Sequence, residues 1–251
     1  MKKQELGTVI SNIQAAKNLH FIKIRIPEIA PLLRPGNFIS ILPPAQSGAF
    51  LRRPFSVADV SGDTITLVIK AIGKATAAIT GLAAGDRAEI MGPLGHGYPE
   101  FDRNKKIWLI GGGTGIASLL FLESGRKGCQ DRLLWGGRTK DEIPEACNIP
   151  CRCFISTDDG TAGEKGTSID VAKKWLKTER PDIIVSCGPR GLLKAVKQLS
   201  AETGIPAWIS TEEFMACGMG ACAGCAVPLE KGGYAKACAD GPVFKAEEVI
   251  L

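Results

Sequence analysis

Met215-Ala-Cys-Gly-Met-Gly-Ala-Cys-Ala-Gly-Cys-Ala-Val, followed by Cys238-Ala-Asp-Gly-Pro-Val-Phe, is the most specific pattern in the chain. Cys217, Cys222, Cys225 and Cys238 stand at the spacing C-x4-C-x2-C, then twelve residues, then C. Three thiolates on one tight loop and a fourth from a later segment match the plant-type spacing for a [2Fe-2S] cluster. Gly218, Gly220 and Gly224 fit that reading, because glycine lets the backbone take φ > 0 and bring its N–H groups toward the sulfurs. A structural zinc, a pair of disulfides and chance compete with it. Zinc sites usually come as paired knuckles, which the x4 gap with its glycines fits poorly.

The chain has 251 residues, enough for two modest domains and a small appendage. Hydrophobic residues make up 45% and charged ones 23%, and no apolar run approaches the roughly 18 to 20 residues of a membrane span. Membrane insertion is therefore not expected. The start, Met1-Lys-Lys-Gln-Glu-Leu, runs into polar sequence with no apolar h-region, so a cytoplasmic location is expected. Nine cysteines then point to metal or redox chemistry more than to disulfides. Outside the four already singled out, Cys129, Cys147, Cys151 and Cys153 read as reduced thiols. The net charge of +5 arises from 31 basic and 26 acidic residues without a basic run, which gives nucleic acid little support. Bound anionic cofactors would offset it.

From Gly7 to about Pro93 the pattern is short and alternating. Phe21-Ile-Lys-Ile-Arg-Ile and Thr64-Ile-Thr-Leu-Val-Ile-Lys repeat with period two, and Ser61-Gly-Asp reads as a hairpin turn. Six or so antiparallel strands punctuated by Pro35-Gly, Ala84-Gly-Asp and Gly92-Pro predict a small Greek-key barrel. At the start of one strand, Arg53 can pair bidentately with a phosphate, Pro54 fixes the turn, and Ser56, beside Phe55, can hydrogen-bond a flavin edge. An ordinary strand entry has the same composition. Lys70-Ala71-Ile72 then runs through a glycine into a short helix with Ala75 and Thr76 in its first turn, which is either an anion site or a plain cap. Gly92-Pro-Leu-Gly-His-Gly-Tyr either lets a planar ligand approach or simply makes a loop. His96 within it is one of two histidines in the chain and reads best as an exposed loop residue.

After Asp102 the pattern changes to alternating strands and helices, which predicts a parallel sheet covered on both faces. Strands are expected at Lys105 to Ile110, Arg132 to Trp135, Arg152 to Ser156, Asp182 to Ser186 and Pro206 to Ser210. Helices are expected at Ile116 to Lys127, Ser168 to Leu176 and Gly191 to Ala201. Ligands of such sheets bind at the carboxyl ends of the strands, where Gly111, Gly112, Gly113, Thr114 and Gly115 form a turn and Thr157-Asp-Asp-Gly and Cys187-Gly188-Pro189 form loops. The turn is not the G-x-G-x-x-G fingerprint, because the third glycine falls on Ile116 or Ser118. Cys187 is small enough to lie against a nicotinamide, or is a buried structural thiol.

Arg53-Pro-Phe-Ser, the Gly111 to Gly115 turn, Cys187-Gly-Pro and the four-cysteine loop together resemble the ferredoxin-reductase superfamily, and within it the iron-sulfur electron-transfer subunits of type B dihydroorotate dehydrogenases. The likeness runs over essentially the whole chain and is most specific from Glu213 to Phe244. It implies a Greek-key FAD barrel over 1–101, an NAD-binding α/β domain over 102–210 and a [2Fe-2S] domain over 211–251. It also implies a role in pyrimidine biosynthesis and an FMN-containing catalytic subunit as partner, two of each forming a heterotetramer. By that resemblance Arg53 to Ser56, Lys70 to Ile72, Ala75 and Thr76 contact FAD, and the four cysteines ligate the cluster. Ala75 departs from a usual glycine and Ser118 from a frequent proline. FAD converts hydride transfer into single-electron transfer, so no catalytic acid or base is expected. Small subunits of bifurcating ferredoxin-NADP reductases share the layout but often replace a cluster cysteine with aspartate. A ferredoxin- or sulfide-linked NADP reductase subunit, with Arg138 serving the 2′-phosphate, is thus one alternative, and a zinc-stabilised binding module is another.

Overall fold

The computed structural model describes residues 2–144 and 153–251. Cys147, Cys151 and the expected strand start at Arg152 lie outside the described residues. Period-two burial produces the first unit. β1 (Lys3–Ala16), β2 (Leu19–Arg25), β3 (Phe38–Ile41), β4 (Arg53–Ser61), β5 (Thr64–Lys70) and β6 (Arg87–Leu94) close into a barrel in the order β1-β2-β5-β4-β3-β6. All neighbours are antiparallel. On β2, Ile22 and Ile24 are fully buried inside while Lys23 and Arg25 face out, as the pleat demands. Gly62, at φ 60°, makes the expected two-residue turn between Ser61 and Thr64. β1 begins at Lys3, earlier than its alternation suggests, because Lys3 to Thr8 pair with β6. Helix α1 (Lys74–Thr80) follows β5.

The second unit is the expected parallel sheet. Its strands are β7 (Ile107–Gly112), β8 (Arg132–Gly137), β9 (Phe154–Thr157), β10 (Glu164–Lys165), β11 (Ile183–Cys187) and β12 (Ala207–Ser210), with helices α2 (Ile116–Ser124), α3 (Ser168–Trp175) and α4 (Arg190–Thr203). A small hairpin, β13 (Ala226–Pro228) and β14 (Tyr234–Lys236), lies in the cysteine-bearing segment. The chain then returns as β15 (Val243–Lys245), antiparallel to β12, giving the order β10-β9-β8-β7-β11-β12-β15. Three residues after a Gly-Pro carry no strand signal of their own. Their pairing is set by the edge of β12.

Helix α2 is apolar all round, the mark of a helix with no solvent face. Its Leu119 and Leu120 share one buried cluster with Ala58 and Val68 of the barrel and Leu109 and Val185 of the sheet. It stops at Ser124 instead of the expected Lys127 because Gly125 caps it and Arg126 turns inward. The Arg126 guanidinium, 6% exposed, pairs with Asp131 at 2.6 Å and donates to the carbonyls of Phe101, Asp102 and Lys105. One side chain thereby ties the barrel-to-sheet connection to the α2–β8 loop.

Removing one partner of a buried ion pair leaves the other charge uncompensated. Arg126→Met is therefore expected to lower unfolding free energy by about 3–5 kcal/mol, measured by urea titration. A loss below about 1 kcal/mol, the level of an exposed pair, would show that Arg126 is dispensable.

Candidate functional site

Two turns meet at the carboxyl end of the sheet. β7 runs into the turn Gly113–Gly115, and β11 ends at Cys187, followed by Gly188 at φ 153° and Pro189 at the start of α4. The approach is backbone to backbone. A Cβ at Gly115 would lie 2.5 Å from the Cys187 carbonyl oxygen, and one at Gly188 would lie 2.9 Å from the Gly112 nitrogen. Gly111 and Gly112 are likewise filled against Ile116, Leu192 and Pro189. Gly113 differs, since its φ is 54° and nothing lies within 4 Å of its notional Cβ. Three of the turn's glycines, with Gly188 opposite, are thus packing, and Gly113 alone of its glycines faces open space. The turn also lies against the end of β5, which brings the strand of Lys70 beside it.

Behind the turns sits a buried polar network that the sequence reading missed. The Tyr98 hydroxyl is 2.8 Å from Ser118 Oγ, and Ser210 and the Cys187 thiol lie beside this pair. Burial, and then the nearby Glu212 carboxyl, pushes the Cys187 thiol up to about 12, so it is a neutral group. Burial likewise raises Tyr98 and Glu212. Ser118, noted as a departure from proline, supplies a hydroxyl to this network. The one available signal was Tyr98, one of two tyrosines in the chain, at the end of a glycine-rich loop.

That loop itself packs against protein. A Cβ at Gly97 would lie 2.4 Å from the Pro35 carbonyl, one at Gly95 would lie 2.6 Å from Pro242 Cδ, and the His96 amide donates to the Gly241 carbonyl at 2.5 Å. Of the two readings open for it, the structural one accounts for its glycines.

On the barrel, Arg53, Pro54, Phe55 and Ser56 lie along β4 opposite Ile41 to Phe38, all partly exposed. The Arg53 guanidinium donates to the Leu51 and Arg52 carbonyls. Lys70 ends β5, Ala71 and the 81% exposed Ile72 follow, and Ala75 is buried in α1. Thr76 Oγ1 accepts from the Ile72 and Gly73 amides at 2.9 and 3.1 Å. The plain cap is therefore present, and Thr76 shapes this turn by filling it. Lys70 reaches across to Glu142 at 2.9 Å, and Glu142 also takes the Arg138 guanidinium at 2.6 Å and its backbone amide at 3.0 Å. These donors, Arg138 first, hold the Glu142 carboxyl down to about 2. Arg138, a candidate for a 2′-phosphate, is thus held by a carboxylate.

The cysteine loop lies beyond the barrel's other end. Its sulfurs receive backbone donors: Met219 and Cys222 amides on Cys217 Sγ at 3.4 Å, Gly224 on Cys222 Sγ at 3.5 Å, and Cys238 on Cys225 Sγ at 3.4 Å. The amides bring Cys217 down to about 6, while burial raises Cys238 to about 11. Gly218 and Gly220 have φ of 66° and 93° as expected, but the third left-handed residue is Ala223 at 55°, and Gly224 is not needed for its φ. Among the described residues no three His, Cys, Asp or Glu side chains form a ligand set for a single ion. The cysteines are instead linked in two pairs through the backbone, the Cys222 amide donating to Cys217 Sγ and the Cys238 amide to Cys225 Sγ. Two pairs fit a two-iron cluster, whereas one zinc would take all four in a single tetrahedron. The first pair is solvent-facing and the second buried.

A family model described as the iron-sulfur cluster binding domain of dihydroorotate dehydrogenase B matches residues 212–250. The chain is 35% identical to the dihydroorotate dehydrogenase B (NAD(+)) electron transfer subunits of Caldanaerobacter subterraneus subsp. tengcongensis and of Bacillus velezensis, covering 100% of both chains in each case. It is also similar to the solved structure of an NADH-dependent reduced ferredoxin-NADP oxidoreductase studied for flavin-based electron bifurcation. That likeness has a TM-score of 0.87 and 29% identity over 98% of this chain and 90% of the other.

The two kinds of glycine in the turn predict different costs. Gly115→Ala forces the Cys187 loop away and is expected to cost up to about 3 kcal/mol with loss of NADH-dependent dye reduction. Gly113→Ala meets only its φ, at roughly 1–2 kcal/mol. Denaturation midpoints compare them, and equal losses would contradict the packing assignment.

Proposed function

The chain belongs to the family of dihydroorotate dehydrogenase B (NAD(+)) electron-transfer subunits, and we propose that it works only with a separate FMN-containing catalytic subunit that docks at its cysteine loop. It is an oxidoreductase subunit of ferredoxin-reductase-like fold that uses FAD, NAD and a [2Fe-2S] cluster. When bound, FAD exchanges a hydride with the nicotinamide and single electrons with the cluster, which links NAD to the catalytic subunit. In our reading the units 1–101, 102–210 and 211–251 hold FAD, NAD and the cluster respectively, and two chains assemble with two catalytic subunits in the cytoplasm. The absence of disulfides among the described residues fits a reducing compartment.

The residues supply binding and shape. Arg53 swings from the Leu51 carbonyl to clamp a flavin phosphate, and Ser56, next to Phe55, offers a hydroxyl to the ring edge. Lys70 to Ile72, with Ala75 and the Thr76 cap, fix the turn along which the cofactor lies. The open space at Gly113 and the neutral Cys187 thiol offer the nicotinamide an uncharged surface. Arg138 is engaged by Glu142, which favours NAD over NADP and so the electron-transfer subunit over the NADP reductase alternative. The observation that carries the proposal is the clustering of four cysteines, three of whose sulfurs accept backbone amides, with Cys217 and Cys222 toward the surface, on the chain that also brings the Gly113 turn against β5.

Cys222→Ser is expected to abolish the iron-sulfur absorbance and leave the flavin spectrum, since no contact links the loop to Arg53–Ser56 among those described. Full iron retention would remove Cys222 from the ligand set. The purified chain is expected to reduce dyes with NADH and to leave dihydroorotate untouched until the catalytic subunit is added. Oxidation of dihydroorotate by the chain alone would overturn the subunit assignment.

A further inference from the structure

Strand β1 carries Leu6, Ile10 and Ile13, which are 54%, 46% and 57% exposed. Ordinary alternation would not put them on one face. Leu6 lies opposite Glu89 on the outside of the barrel, Val9 pairs with the buried Ile24, and Ser11 pairs with the exposed Lys23, so Ile10 is the extra residue of a bulge. The bulge reverses the parity, turns Asn12 toward the Thr80 and Leu82 carbonyls, and brings Ile13 to the same outer face as Leu6. The result is an apolar stripe about 20 Å long at ~3.3 Å per residue. The barrel is closed, so β1 has no free edge, and any contact here is made by side chains.

The stripe starts at the cysteine loop. Lys2, just before β1, donates to the Met219 carbonyl at 2.9 Å, and Met219 is itself 47% exposed. The loop tip around it exposes the small residues Ala221, Cys222 and Ala223. Such a tip falls well short of the roughly 800 Å² per partner that a stable interface covers. We propose that the outer face of β1 is the second half of the surface that binds the catalytic subunit, an inference that rests on the subunit reading above. Its rim is basic. Arg25 and Lys23 flank Thr8 and Ser11 from β2, Arg87 flanks Thr8 from β6, and of the acids beside the strand Glu89 is held by Arg52 and Gln4 while Asp86 accepts from the Ala83 amide. The matching patch is therefore apolar with an acidic rim.

The test uses the holo chain and the purified catalytic subunit, with affinity measured by titration calorimetry. Leu6→Glu/Ile10→Glu/Ile13→Glu is expected to weaken binding by at least about 30-fold while NADH-dependent dye reduction stays unchanged. Lys23→Glu/Arg25→Glu, which leaves the apolar residues in place, is expected to slow association at low salt by about tenfold. Unchanged affinity in the triple variant and unchanged association rate in the double variant would overturn the proposal. So would a wild-type chain that self-associates in light scattering and becomes monomeric in the triple variant, since the stripe would then be a contact between copies. Failure of the wild-type chain to bind the catalytic subunit would instead refute the subunit reading, and this inference with it.

Discussion

Burial of α2 on two sides at once is the constraint from which the rest of the arrangement follows. A nine-residue helix with Ile116, Leu119, Leu120 and Leu122 buried has no face left for solvent. It must be covered by the sheet on one side and by β4 and β5 on the other. The turn that precedes α2 is then carried against the end of β5 without any dedicated contact. Proximity of the barrel and the sheet unit at this turn is thus a by-product of hydrophobic packing. Arg126 acts on the same junction from below, fixing the connection between them through carbonyls that a helix of the expected length would have left unmet.

Backbone proximity sets what the turns can do. Gly112, Gly115 and Gly188 are glycines because another main chain occupies the place of their Cβ atoms. That contact closes one side of the site and leaves Gly113 open on the other. Behind it, Tyr98 and Ser118 satisfy one another beside Ser210, so this polar pair under Cys187 requires no ion. The charged links between the halves include Lys70 to Glu142 and Lys17 to Asp141, and Glu142 also takes Arg138 of its own half. One low-lying carboxylate thus draws Lys70 and Arg138 to itself at this edge.

The elements with strong periodicity were legible in the sequence. Ile22 and Ile24 alternate with Lys23 and Arg25 as a half-buried strand must, and the continuous apolar run at Ile107 to Ile110 belongs to a strand buried on both faces. The cysteine spacing was legible because coordination chemistry fixes it locally. What escaped was set by distant parts of the chain. β15 exists only because β12 offers an edge, the Tyr98 network joins residues more than a hundred positions apart, and the glycines of 111–115 looked alike although packing gives them different tasks. Gly224 and Ala223 exchanged roles for a similar reason, since which residue of a tight loop turns left-handed depends on where all the sulfurs must point.

The cysteine loop joins these themes at the surface. Thiolates clustered within a few ångströms repel one another, and the chain answers with amide donors aimed at Cys217, Cys222 and Cys225. Buried Cys225 and Cys238 anchor the loop in the core that also holds Phe38, Leu94 and Phe244, so this pair of cysteines is tied to both barrel and sheet. The other pair, Cys217 and Cys222, has solvent on its outer side. A partner protein meets the cysteines at that side. The left-handed Ala223 and the glycines keep large side chains out of the gap, and the same small residues that allow a close approach cannot by themselves hold a partner there. A firm hold draws on apolar surface beside the loop, where the exposed Phe214 and Met219 of the loop segment are joined by the branched aliphatic side chains that β1 exposes along its length.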